Sequence, residues 1–360
     1  MLFSSALATV LGLLASPVFA ANCTNPSVRR EWRTFTTEEK SEWISAVKCL
    51  SDLPHNPDLF ATVPPSVSSI VPINASGSYY DDFVYVHMDL NTRIHFTGLF
   101  LPWHRWYVTV YETALQQKCN YTGVSPYWNW SMDATEFFES PFWSDSDPSS
   151  GLGGWGDPSK DYEVQDGAFS TFNLSYPSYH TLRRNFTAQP YLGLAGLDLF
   201  PEPALYANTT FTIEKISEGI NGFVGDYPKF QQWMEWGEGP HGSVHLIMGG
   251  DLGGSCPASA PANCTPGPTF SANEPLFWMH HAMVDKVWYD WQHANESNFW
   301  AYVGGANQSF INASFYDEYP SGAAPMLDLD YLMPSDGMFE QATIRDVMNT
   351  TDGLLCYIYE

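Results

Sequence analysis

Six histidines in this sequence are spaced as metal ligands are spaced. His95 and His104 lie nine residues apart in HFTGLFLPWHRW, an apolar, aromatic stretch with almost nothing else polar in it, and His87 precedes them. Farther on, GPHGSVH sets His241 and His245 four apart, so on a helix both imidazoles share one face and can reach one ion. EPLFWMHHAMVDKVW then carries His280 and His281. Asp285 stands one helical turn beyond His281, where a carboxylate can orient a ligand ring or nearby backbone from behind. A lone histidine is more often a hydrogen-bonded core or surface residue, and His55, His180 and His293 are read that way. Glu112 suits a salt bridge or solvent at least as well as a supporting role.

The pattern is two triplets, His87/His95/His104 and His241/His245/His281, with no carboxylate or thiolate at ligand spacing. Di-iron bundles and most two-zinc hydrolase sites use bridging carboxylates. Six neutral nitrogen donors without a bridging anion suit copper, which stands at the top of the divalent affinity order. Two copper ions about 3.5–4 Å apart could share one dioxygen molecule. That is redox chemistry, not hydrolysis.

Such a site needs stiff supports. Residues 28–50 read as a helix with a Thr37 cap, an acidic first turn and helical apolar spacing. Segments 102–118 and 275–294 read as helices opened by a proline, and a shorter one runs from Pro240 to Gly249-Gly250. His104 then sits two residues into its helix. Gly, Pro, Ser and Asn dominate 140–212 and 250–272, which predicts long surface loops. Strand-like runs are few and short. The fold expected is mainly α, one helical domain with long loops.

Composition bounds the partners. The chain of 360 residues holds 40 acidic and 15 basic residues, a formal net charge of −25. That charge repels phosphate backbones and anionic lipid, so neither nucleic acid nor a membrane surface is an expected partner. Aromatics are 16 % of residues, enough to wall an apolar pocket as well as fill a core.

The first twenty residues, MLFSSALATVLGLLASPVFA, read as a secretory signal cleaved after Ala20, although no Lys or Arg precedes the apolar run. The mature domain is then 21–360, secreted. Twelve Asn-X-Ser/Thr sequons, among them Asn22, Asn74, Asn120, Asn173 and Asn185, predict N-linked glycans. Six cysteines without a CxxC predict disulfides. Cys256 and Cys264 flank a Pro/Ala-rich loop and suit a local bridge. Among the fifteen possible pairings, Cys49–Cys119 with Cys23–Cys356 is the arrangement expected for the rest.

HFTGLFLPWHRW, GPHGSVH and EPLFWMHHAMVDKVW together resemble the two copper-binding signatures of the tyrosinase, catechol oxidase and haemocyanin group of type-3 copper proteins. The similarity runs from about Arg29 to the C-terminus. It implies a four-helix bundle around a dinuclear site, with His87, His95 and His104 binding one copper and His241, His245 and His281 the other. His280 takes a supporting role, because in the family pattern the second histidine of the pair is the ligand. The activity implied is oxidation of small o-diphenols to o-quinones, with dioxygen as co-substrate reduced to water.

Relatives that hydroxylate monophenols well often carry Asn directly after the first histidine of the second triplet, paired with a nearby Glu. Here that position is Gly242, which implies weak or absent hydroxylation. The nearby acid expected is Glu238, with Glu235 the alternative, and Leu246 is expected to shape the pocket wall. Some relatives form a Cys–His thioether through a cysteine two residues before the second ligand; Arg93 stands there, so none is expected. Tyr357-Ile358-Tyr359 resembles the Tyr-X-Tyr motif that closes the core domain, with Arg29 or Arg30 packed against it, and the site is expected to be open. Two other readings remain: a dioxygen carrier, and the same fold holding zinc for a non-redox step on a specialised metabolite.

Overall fold

The computed structural model describes residues 23–360 apart from Ser69, Asn74 and Asn263. The expected signal segment and the first two sequons lie outside those residues. The chain is mainly helical. Helix α1 (Thr37–Asp52) starts at a capping box, in which the Thr36 hydroxyl accepts the Glu39 N–H and the Glu39 carboxylate accepts the Thr36 N–H. The helix expected from residue 28 therefore begins nine residues later. Ser27–Arg29 is instead a strand, drawn into parallel pairing with Tyr357–Tyr359, and Trp32–Thr34 is a single 3-10 turn. Long-range pairing overrides local spacing there.

Helix α2 (Tyr79–Ile94) has its own capping box, Ser78 with Asp81, and carries His87; His95 is its C-cap. Helix α3 (Phe100–Cys119) starts two residues before Pro102. The proline sits in the first turn, where a missing N–H costs no helical hydrogen bond. Two short helices follow, α4 (Ile213–Asn221) and α5 (Tyr227–Glu235). Helix α6 (Pro240–Met248) ends at Gly249, and α7 (Leu276–Ala294) follows directly on Pro275. Helices α1, α2, α3 and α7 pack on one another, α5 packs on α6, and α4 on α7. The α3–α7 seam is aromatic: Tyr111 stacks on Trp278 at 3.6 Å, with Phe83 edge-on to both. Four helices, α2, α3, α6 and α7, carry the metal-type histidines.

Three disulfides close the frame, Cys23–Cys356, Cys49–Cys119 and Cys256–Cys264, as the sequence predicts. Beside the first, Arg29 is fully buried, 3.6 Å over the Tyr357 ring, and donates to Glu112 at 3.0 Å and Asp285 at 3.4 Å. Arg30 turns away to Glu39. Asp285 also accepts from Arg105 Nε at 2.5 Å and from the Tyr357 and Tyr359 hydroxyls at 2.5 and 2.6 Å. Its oxygens serve two guanidinia and two phenols, so it braces α7 against α3 and the C-terminal strand rather than orienting a histidine ring. Glu112 likewise belongs to this network, accepting Arg29 and the Ser125 N–H.

Candidate metal centre

The first triplet is assembled from both ends of one hairpin. His87 lies mid-α2, His95 ends that helix, and His104 lies in the second turn of α3. Between the helices, Phe96 takes a left-handed conformation, φ 55°, which turns the chain sharply enough to bring His95 back over His87. Their ring centres are 5.0 Å apart, His95 and His104 also 5.0 Å, and His87 and His104 5.7 Å. The tight turn is buttressed from outside: Glu235 accepts the Phe96 N–H at 2.6 Å, and Gln231 donates to both the Thr97 carbonyl and Glu235.

The second group sits on α6 and α7. His241 and His245 face each other across one turn, their Nε2 atoms 3.2 Å apart. His280 and His281 both join them, since the four residues place ligand-type nitrogens within 4.8 Å of one another. His280, expected in a supporting role, thus lies inside the group. The two groups adjoin: the His104 and His281 rings stack at 4.4 Å, and those of His95 and His241 lie 6.2 Å apart. Phe277 wedges against both His87 and His281, and Phe100 lies edge-on to His241. Among the described residues, the groupings that could hold an ion are these two, and they contain histidines alone.

The ring nitrogens show what the site is prepared for. His87 Nδ1 donates to the Thr269 carbonyl at 2.6 Å, His104 Nδ1 to Phe100 at 2.7 Å, and His245 Nδ1 to Leu252 at 2.8 Å. Each such bond fixes the tautomer and turns Nε2 inward as a free lone pair. His87 Nε2, His104 Nε2, His241 Nδ1 and all four nitrogens of His280 and His281 are buried with no hydrogen-bond partner. An unpaired buried polar atom ordinarily costs about 1–3 kcal/mol, and each of these five neutral rings has one lone pair, so five such rings in one place make sense as donors reserved for metal. Burial holds all seven histidines neutral. It pushes His87 down to about 3 and His245 to about 4, and keeps His95, His104, His241, His280 and His281 well below the ordinary value, against the neighbouring rings as well. Neutral imidazole is the ligand form. The donor set fits a pair of copper ions, all nitrogen with no bridging carboxylate.

The site is nearly closed. His95 and His241 keep 8 % and 6 % exposure, the others 3 % or less, so its opening lies on their side. Gly242 and Leu246, which follow His241 and His245 on α6, are both partly exposed. Gly242 is there for a packing reason as well: a Cβ at that position would lie 2.9 Å from the Trp236 and Gly237 carbonyls. Of the two candidate acids, Glu235 is the one buried against the chain that carries His95, and burial keeps its carboxyl well above the usual range. Glu238 is half-exposed, accepts the Glu202 N–H at 2.9 Å and lines a surface groove of about 590 Å³ with Trp233 and Trp236. Arg93 donates to the Thr62 carbonyl.

Comparison with known proteins agrees with this picture. Residues 77–294 match the family model described as the common central domain of tyrosinase. The tyrosinase-like protein phomQ1 of Diaporthe leptostromiformis is 30 % identical, with 94 % of this chain and 78 % of that protein covered. The N-acetyl-6-hydroxytryptophan oxidase ivoB of Emericella nidulans is 29 % identical, covering 99 % and 98 %. A solved polyphenol oxidase from Thermothelomyces thermophila superposes with a TM-score of 0.64 over 93 % of this chain and 89 % of that one, at 24 % identity.

Proposed function

The chain belongs to the tyrosinase family, and from that premise we propose that it oxidises small o-diphenols to o-quinones, with dioxygen reduced to water and little or no hydroxylation of monophenols. His87, His95 and His104 would hold one copper, and His241, His245 and His281 the other. When bound, the copper pair supplies the redox capacity, so that two diphenols yield two quinones and two waters per dioxygen. The observation that carries this reading is the set of buried, unpartnered imidazole nitrogens in two adjoining groups that contain no carboxylate.

The chain's own residues do the rest. Carbonyls of Thr269, Phe100 and Leu252 keep the ligand rings neutral and aimed. Phe100 and Phe277 exclude water around them. A phenol ring would enter on the side of His95 and His241, past Gly242 and Leu246, and Gly242 offers no side-chain amide to pair with Glu238 or Glu235. The ivoB relative is an N-acetyl-6-hydroxytryptophan oxidase by name, and the aromatic hydroxyl of such a compound supports a phenol-type substrate here. Three disulfides support secretion, as do the sequons in the sequence; no helix among the described residues is long and apolar enough to cross a membrane.

The test is metal analysis with oxygen uptake. Purified protein should carry about two copper ions per chain and consume oxygen on catechol, with at most a slow, lagging reaction on tyrosine. Zinc at two per chain, or copper with reversible oxygen binding and no quinone, would sink the proposal.

A further inference from the structure

His180 lies outside both histidine groups, yet it is almost fully buried, and its ring is bonded on both edges. Nδ1 faces the Ser178 carbonyl at 2.7 Å and Nε2 faces Asp251 Oδ1 at 2.8 Å. Both partners are acceptors only, so both ring nitrogens must carry hydrogen, and the ring is an imidazolium. Asp251 is fully buried, and its other oxygen accepts the Arg183 N–H at 2.7 Å.

Asp251 opens the tight loop that follows α6. Gly249 and Gly250, at φ 54° and 48°, let that loop press on the Asn185 and Arg183 carbonyls, where any Cβ would collide at 2.1 Å. The next residue, Leu252, supplies the carbonyl that holds His245 Nδ1. From this chain of contacts we infer that His180 and Asp251 form a buried imidazolium–carboxylate pair that positions His245, by pinning the loop whose carbonyl aims that ring.

The proposal rests on His245 being a metal ligand. Burial opposes the charge on His180, but the Asp251 carboxylate and the two hydrogen bonds outweigh it and hold the ring above its ordinary pKa. Other charges near the pair are Arg183, whose Nη1 lies 4.0 Å from Asp251, and Asp161, which pairs with Arg183. A raised histidine contributes below its unfolded pKa, and the contribution is lost as pH rises through the folded value. The grip on His245 should therefore loosen at higher pH, opposite to the usual trend in which histidine ligands bind better as protons leave.

The test uses the copper-loaded protein, a competing chelator and His180→Gln, which keeps a donor to Asp251 without the charge. In the variant, one of the two copper equivalents should leave at chelator concentrations about tenfold lower, the range for lost supporting contacts, while the other is unchanged. Release of that equivalent from wild type should rise with pH through the His180 titration, and that pH dependence should vanish in the variant. Nitrogen NMR of His180 in the diamagnetic Cu(I) form should show an imidazolium at pH 7, a readout that needs no variant if His180→Gln fails to fold. A neutral His180, or release of both equivalents in parallel, overturns the inference. These readouts need no turnover, so an inactive protein that gives them would sink the oxidase reading and leave this one standing.

Discussion

In the first histidine group the rings of His87 and His104 are each held by a backbone carbonyl, whereas in the second only His245 has such a hold. His241 meets only the His245 ring, and His280 and His281 are placed by packing alone. A carbonyl that accepts Nδ1–H decides tautomer and aim before any ion arrives; packing decides only where the ring is. The first half of the centre is therefore built in advance, and the second is completed by what it binds.

The strongest way to break that contrast is to isolate each half. His104→Ala and His281→Ala should both abolish catechol oxidation, because the proposed reaction needs both ions, and both should fall from about two copper ions per chain to about one. They should differ in how that ion is held. The ion left by His281→Ala, in the first group, should resist a chelator about tenfold better than the ion left by His104→Ala. Equal release would erase the distinction.

Acid probes what the two groups share. All seven rings are neutral in the folded chain and would gain protons on unfolding below about pH 6.5. Their lowered pKa values make stability fully present above that pH and lost as pH falls toward the folded values, about 3 for His87 and about 4 for His245. Each ring contributes a slope of up to about 1.4 kcal/mol per pH unit. The metal-free protein should therefore lose Tm steeply between pH 6.5 and 5. A flat profile over that range would mean that the rings are not buried as described.

A smaller change should make the first group resemble the second. Glu235→Ala removes the acceptor of the Phe96 N–H and leaves Gln231 half-served, at a cost of about 1–3 kcal/mol. The left-handed turn after His95 would loosen, so copper in the first group should exchange faster while the second is unchanged. Loss confined to the second group would show that the turn is not what holds His95.

These differences explain what the sequence could and could not disclose. The ligand-type histidines were readable because their spacing on α3, α6 and α7 is punctuated by Pro102, Pro240, Gly249 and Pro275. Helix α2 was missed although it carries His87. It is buried on nearly every face and rich in aromatic and β-branched residues, so it shows no polar stripe, and only the Ser78–Asp81 capping box announced it. The carbonyls of Thr269 and Leu252 have no signature in any side chain. Asp285 had the spacing of a ligand support, but Arg29 and Arg105, distant in sequence, claim its oxygens. His180 read as an ordinary hydrogen-bonded residue, and its two acceptors became visible only when the chain was folded.

The finest probe is Gly242, beside His241 in the second group. A helical glycine usually costs about 0.5–1 kcal/mol relative to alanine, so Gly242→Ala has a propensity gain to offer. Against it stands a Cβ placed 2.9 Å from two backbone carbonyls of the Trp236–Gly237 turn. Backbone cannot swing aside as a side-chain tip can, and overpacking of this kind costs about 1–3 kcal/mol. The clash should win, giving a net loss of about 1 kcal/mol in Gly242→Ala, read as a lowered Tm. Gly242→Asn meets the same wall, so it should gain little monophenol hydroxylation on its own: the added amide displaces the turn that carries Glu238 and tilts the first turn of α6 with His241. If Gly242→Asn keeps wild-type Tm and hydroxylates tyrosine without lag, the turn yields freely, and the second group is less constrained than its packing indicates.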